Sequence, residues 1–289
     1  MEIRVKAPAT SANLGPGFDC AGVAFELWNE LTVEEADVLE VVVEGEGADE
    51  APQDESHLGL QAFALIEPIE GKRFRFKNRI PFARGLGSSS STIALGLVAA
   101  SRWQGKERPV EELLDLALSL EAHADNLAAC FLGGAVLTWA DTDGWRARQI
   151  ATELPLEALA VIPRARTTTA ESRSTLPEQI SHVDAAFSAG RAALLGAALA
   201  AGDPDLLKAA FNDRLHEPYR RASAPLLRSI HGDPPNGAAG VTLSGSGSTV
   251  IVWAYPDWAA LCMDELVKRF QDSKVLRLRV AASGAAAMP

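Results

Sequence analysis

The chain has 289 residues, enough for one large or two modest domains around a sizeable core. Its 47% hydrophobic and 22% charged residues are ordinary for a soluble globular protein. A formal charge of −11 argues against a general nucleic-acid or anionic-membrane surface, while leaving room for a local anion site.

The opening MEIRVKAPAT has no apolar secretory core, and no uninterrupted apolar run approaches the length of a membrane helix, so a cytoplasmic location is expected. Three widely spaced cysteines (Cys20, Cys130, Cys262) with no CxxC predict reduced thiols and no zinc site. Residues 2–6 alternate and predict a strand. Residues 8–22 are rich in Pro, Gly, Ser and Asn and predict a long turn or loop. Strands are expected at 23–33 and 38–44, then an acidic surface loop, a helix over 58–66 and a strand at 74–77. Residues 89–103 show helical spacing through Ile93, Leu97 and Ala100. Pro109 suits a first helical position, with Glu111 and Glu112 in the first turn of a helix running to about 122.

A strand is expected at 133–140 and a soft boundary at 151–157. Residues 158–162 predict a strand and 163–177 a polar loop. Helices follow over about 178–200, 203–213 and 218–230. Residues 240–254 read as strand, small-residue turn, strand; 257–271 form an amphipathic helix and 274–280 a last strand. Mixed order with clustered strands points to α+β, not to a doubly wound parallel sheet.

The stretch PFARGLGSSSS, residues 81–91, combines a glycine turn with four serines at the head of a helix. Glycine lets a ligand approach the main chain. The first helical amides and the helix dipole favour an anion. The stretch could hold a polyphosphate, with one hydroxyl free for a metal. It is not a Walker loop, because no lysine precedes the serines; Arg84 is the nearest cation. A serine-capped helix after an ordinary turn fits this stretch equally well.

PFARGLGSSSS resembles the second motif of the GHMP kinases, P-x-x-x-G-L-G-S-S, with Ala83 where glycine is common. KAPATSANLGPGFDCAG (6–22), EAHADNLAACFLGGAVL (121–137) and LSGSGST (243–249) resemble the motifs of one branch, the homoserine kinases. The resemblance implies a two-domain α+β fold: a GHMP N-terminal domain with a left-handed βαβ crossover (1–153), and a ferredoxin-like C-terminal domain (154–289). It implies ATP as co-substrate on Pro81, Phe82, Ala83, Arg84, Gly85, Leu86, Gly87, Ser88, Ser89, Ser90 and Ser91. Mg²⁺ falls to Ser89 and Glu121, hard oxygen ligands of the kind magnesium prefers.

The implied substrate is L-homoserine, phosphorylated on its side-chain hydroxyl in threonine biosynthesis. Arg173, in T-x-x-x-R with Thr169, and Arg220, in HEPYR, are implied for its carboxylate, where a planar fork outperforms lysine. Asn13, Asp19, His123, Asp125 and Asn126 are implied for its amine and alcohol, with Asn126 and Arg173 the catalytic pair. Taken singly, His123 reads as a structural histidine, Asn126 as a cap, Glu121 as a helix-end acid and both arginines as surface residues. In family register those readings reverse. Mevalonate kinases place an aspartate where Asn126 stands, so the resemblance implies transfer without a carboxylate base, the proton passing to phosphate or solvent. A homodimer with no nucleic-acid or membrane partner is expected. A superfamily kinase for another alcohol, and a nucleotide-binding regulator without turnover, stay open; ADP release over a panel of alcohols separates all three.

Overall fold

Apolar alternation near the start builds a long hairpin. In the computed structural model, which describes residues 1–167 and 169–288, β1 (Glu2–Asn13) and β2 (Gly17–Glu35) pair from Glu2↔Glu34 to Asn13↔Gly17. Residues 8–22 are therefore mostly strand, not the long loop their composition predicts. The turn-forming residues serve bulges and one tight turn. The register shifts at Pro8/Ala9 and Ala12/Asn13, and Asn13, Leu14 and Gly15 have φ of 74°, 46° and 77°.

Next, β3 (Glu40–Gly45), α1 (Leu58–Ala64) and β4 (Lys72–Asn78) form a βαβ unit with parallel strands. α2 (Ser88–Trp103) lies on α1, where Gly96 meets the Gly59 carbonyl and the Ala62 side chain with no room for a Cβ. α3 (Val110–Leu118) has Pro109 as its cap, not its first residue, and ends before the expected 122. There Ser119 tightens the turn, its Oγ and N–H both bonding the Leu116 carbonyl. α4 (Ala124–Leu132), β5 (Ala135–Asp141) and β6 (Gly144–Ala151) complete this half. β6 was not predicted. Almost every residue along it is half-buried, so the strand has no apolar alternation to read.

The second half runs β7 (Glu157–Ile162), α5 (Thr169–Ser174), α6 (His182–Ala201), α7 (Pro204–Ala210), α8 (Glu217–Arg220), α9 (Pro225–Gly232), β8 (Ala238–Leu243), β9 (Val250–Ala254), α10 (Ala259–Arg269), β10 (Lys274–Leu278) and β11 (Ala286–Ala287). α5 thus interrupts the expected polar loop. The sheet order β10-β7-β9-β8 is all antiparallel. It is the ferredoxin-like arrangement of two split βαβ units. The other sheet runs β11-β1-β2-β4-β3, with β5 also on β2 and β6 beyond it.

One apolar core lies between the first sheet and α1–α3, around Phe63, Phe74 and Phe76. A second joins the two halves: Val23 and Phe25 of β2 share it with Phe211 and Trp253, whose rings stack at 5.4 Å. A third packs α9 and α10 on the outer face of the second sheet. After β10 the chain recrosses this seam. The Ala281 N–H donates to the Ala24 carbonyl at 2.9 Å, and β11 pairs with β1 at Val5↔Ala287. α6 is long and apolar enough to cross a membrane by length and composition. Asp184 and Arg191 had masked that length in the sequence, and the helix buries Leu195, Ala198 and Leu199 in the core of the seam.

Candidate active site

Stretch 81–91 runs between two other backbones. Gly85 and Gly87 have φ of 78° and 66°. A Cβ on Gly85 would overlap the Ser244 carbonyl oxygen, and one on Gly87 would overlap Thr10 Oγ1. Only glycine fits both the angles and the contacts. Ala83, where the related motif commonly has glycine, also takes a positive φ of 54°. The N-cap of α2 is Gly87, and no side chain caps the helix. The serine-cap reading therefore fails, and the first-turn amides are left for an anion.

The cavity here holds about 300 Å³ and is lined by Phe82, Ala83, Arg84, Gly85, Gly87, Ser88, Ser89 and Ser90 from this stretch. Pro81, Leu86 and Ser91 are buried and do not line it; Ser91 Oγ reaches the Ala7 carbonyl at 3.3 Å. Arg84 borders the cavity, yet its guanidinium donates to the carbonyls of Pro163, Phe82 and Arg164 at 2.9, 2.8 and 3.1 Å. It straps the glycine turn to the segment after β7.

One wall is acidic. Glu121, just beyond α3, accepts from Ser89 Oγ at 2.8 Å and Ser90 Oγ at 3.1 Å. His123 Nδ1 lies 3.2 Å from the other Glu121 oxygen, and that contact raises the His123 pKa above its usual value. α4 begins against β2 because Gly22 lets the Asp125 carbonyl come too close for any Cβ. Asp125 is 2% exposed and its Oδ1 accepts the Asn126 N–H at 2.8 Å. Burial pushes its pKa up to about 7, the Asn126 bond opposing. Asn126 Oδ1 accepts from Thr10 Oγ1 at 2.7 Å. That leaves the amide NH₂ as the polar group available to the cavity, which Asn126 lines.

The opposite wall carries opposed charges. Arg173, on α5, pairs with Asp19 at 2.6 Å. Asp19 has a φ of 57°, and its N–H is held by Asn13 Oδ1 at 3.0 Å. Asn13 Nδ2 in turn donates to the Gly245 carbonyl at 3.1 Å. Arg220, on α8, is 2% exposed; burial and the charge of Arg173 lower its pKa. Its Nη1 reaches Gly245 O at 3.3 Å, while its Nε has no partner among the described residues.

Glu121, His123, Asp125, Asn126, Asn13, Asp19, Arg173 and Arg220 therefore line one cavity with the glycine turn. The side chain of Thr169 lies outside the described residues. Sequence reasoning did not assign Thr10, Ala12 or Thr167 to the site. Ala12 and Thr167 line the cavity and Thr10 orients Asn126. Position within the first motif was the available signal for all but Thr167.

A family model for the GHMP kinases N-terminal domain matches residues 55–134. A homoserine kinase of Mycobacterium sp. (strain KMS) is 45% identical over 263 residues, covering 84% of this chain and 82% of its own. One of Desulfitobacterium hafniense (strain DSM 10664 / DCB-2) is 36% identical over 294 residues, covering 98% and 99%. The crystal structure of a homoserine kinase from Cytophaga hutchinsonii ATCC 33406 matches with a TM-score of 0.87 at 26% identity, covering 99% and 97%. A mevalonate kinase shares the fold at 0.66 and 17%.

The raised pKa of Asp125 has a stability consequence. Between pH 4 and about 7 the folded chain keeps a proton that the unfolded chain releases. This group therefore costs stability progressively as pH rises through that window. Asp125→Asn removes the cost. Its Tm should exceed that of the parent by several degrees at pH 8, and the difference should vanish towards pH 4. A Tm difference independent of pH would show that Asp125 ionises normally.

Proposed function

The chain belongs to the homoserine kinases, a branch of the GHMP kinases, and on that footing we propose how its cavity moves the terminal phosphoryl group of ATP to the side-chain hydroxyl of L-homoserine. The carrying observation is that an anion cradle, a hydroxyl–carboxylate pair and a wall of opposed charges share one cavity.

The glycine turn and the uncapped start of α2 take the ATP phosphates. Residues 1–153 supply this side, and 154–289 close over it with the 245–247 turn, α5 and α8. Ser89 and Glu121 fit Mg²⁺, for their two hard oxygens already stand 2.8 Å apart. Among the described residues no three His, Cys, Asp or Glu side chains cluster for a metal. A set of two protein oxygens is one magnesium tolerates, since phosphates and water fill its other positions. When bound, the ion offsets charge on the phosphoryl oxygens.

The Arg173–Asp19 pair gives the substrate its place. A zwitterionic amino acid exchanges with it charge for charge: the carboxylate takes Arg173 and Arg220, and the ammonium takes Asp19. No charge is left bare, which keeps the desolvation cost low. A ligand with only one of these charges strands a partner. Asn13 acts by fixing Asp19.

At the hydroxyl, Asn126 can orient but cannot accept a proton. Phosphoryl transfer depends mainly on alignment and charge neutralisation, so the hydroxyl proton leaves to phosphate or solvent. We place the reaction in threonine biosynthesis in the cytoplasm, performed by a homodimer; the acidic net charge supports the absence of a nucleic-acid or anionic-membrane partner.

Losing a charge-assisted contact costs roughly ten- to a hundredfold in affinity. Arg173→Leu should raise the homoserine KM at least about tenfold and leave the ATP KM nearly unchanged; a defect confined to ATP would put Arg173 on the wrong ligand. Glu121→Gln should sharply lower kcat with little change in Tm, and a near-normal kcat at saturating Mg²⁺ would remove Glu121 from the metal site.

A further inference from the structure

His216 does not itself line the cavity, yet it grips Arg220, which does. It immediately precedes α8 and is fully buried. Its Nδ1 stands 3.0 Å from Arg220 Nη1, and its Nε2 stands 2.8 Å from the Gly15 carbonyl. A guanidinium can only donate and a carbonyl can only accept. The ring is therefore neutral, with its proton on Nε2 and its lone pair turned to Arg220.

The surroundings hold this ring still. It stacks on Phe18 with centroids 4.9 Å apart. The Phe18 ring lies 5.5 Å from the guanidinium carbons of both Arg173 and Arg220. Asp213 Oδ2 accepts the backbone N–H groups of His216 and Glu217 at 2.8 Å each, and lies 3.6 Å from His216 Nε2. Glu217 Oε1 accepts the Leu243 N–H at 2.7 Å, tying α8 to β8. One edge of Arg220 is thus anchored by His216 and by Gly245 O, while Nε is left without a partner among the described residues.

We propose that His216 is a positioning residue for substrate recognition: as a neutral acceptor it turns the free edge of Arg220 to the homoserine carboxylate without consuming the arginine's charge. A carboxylate in its place would hold Arg220 equally well but would compete with the substrate for it. Imidazole orients the fork and leaves its full positive charge for the ligand. The bond to Gly15 also ties this orientation to the turn of the first hairpin, whose far side carries Asp19. The two ends of the zwitterion are therefore placed relative to one another through a single ring.

This inference rests on Arg220 meeting the substrate carboxylate, so the test separates the two. His216→Asn keeps an acceptor near Nδ1; His216→Leu has nearly the same shape and none. Steady-state kinetics of both, with Arg220→Met alongside, would be measured for homoserine and for 3-aminopropan-1-ol, which lacks the carboxylate. His216→Leu should raise the homoserine KM about tenfold or more. It should leave the ATP KM and the kcat/KM for 3-aminopropan-1-ol within about twofold, and His216→Asn should recover most of the loss. If Arg220→Met raises the homoserine KM but His216→Leu does not, or if Asn and Leu behave alike, the positioning role is wrong. If Arg220→Met leaves the homoserine KM unchanged, the carboxylate reading fails and takes this proposal with it.

Discussion

Three backbones pass within touching distance at Gly85 and Gly87, and the rest of the site depends on that contact. Thr10 of β1 stands against Gly87, and Ser244, just after β8, stands against Gly85, each where a side-chain carbon would overlap. The same neighbourhood holds backbone bonds across the seam, from Thr249 N to Arg84 O at 3.1 Å and from Gly245 N to Ala12 O at 3.2 Å. The contact that docks one sheet on the other is thus also the contact that aims the uncapped amides of α2 into the cavity. Anion cradle and seam are one feature, and glycine is what permits it.

Strain and charge gather at the same place. Among the described residues, the four non-glycine residues with positive φ, Asn13, Leu14, Asp19 and Ala83, all lie in the first two motifs. Such conformations cost about 1–3 kcal/mol each and persist where surrounding structure enforces them. Here Asn13 enforces Asp19 and is itself held by Gly245. An acidic chain builds a cationic wall by burying Arg220 against backbone carbonyl and imidazole, not against carboxylate. Arg173 beside it is paired with Asp19 at 2.6 Å.

Legibility in the sequence followed the physics of each element. α2 and the β8–β9 pair were readable because apolar periodicity and flanking glycines agreed. Residues 8–22 were misread because turn residues inside a bulged strand look like a loop. β6 escaped because half-buried positions carry no clear period, α5 because it is six residues long and largely exposed, and β11 because two residues pairing across the molecule leave no local pattern. The site residues came from motif register, not from spacing. What the register could not supply was partnership: that Arg84 spends its donors on carbonyls, that Thr10 sets the face of Asn126, and that His216 stands behind Arg220. The first two join residues 79 and 116 positions apart, and the ring behind Arg220 is itself held by Gly15, 201 positions away, so only the folded chain displays them.

The central claim is that one cavity reads both charges of an amino acid while presenting its alcohol to ATP. ADP release, coupled to a dehydrogenase assay, measures it directly across L-homoserine, 4-hydroxybutyrate, 3-aminopropan-1-ol and mevalonate. Each missing charge removes an interaction and strands a protein partner, so kcat/KM for homoserine should exceed that of either single-charge analogue by about a hundredfold or more. Phosphorylation of 4-hydroxybutyrate or mevalonate at a rate comparable to homoserine would contradict the account.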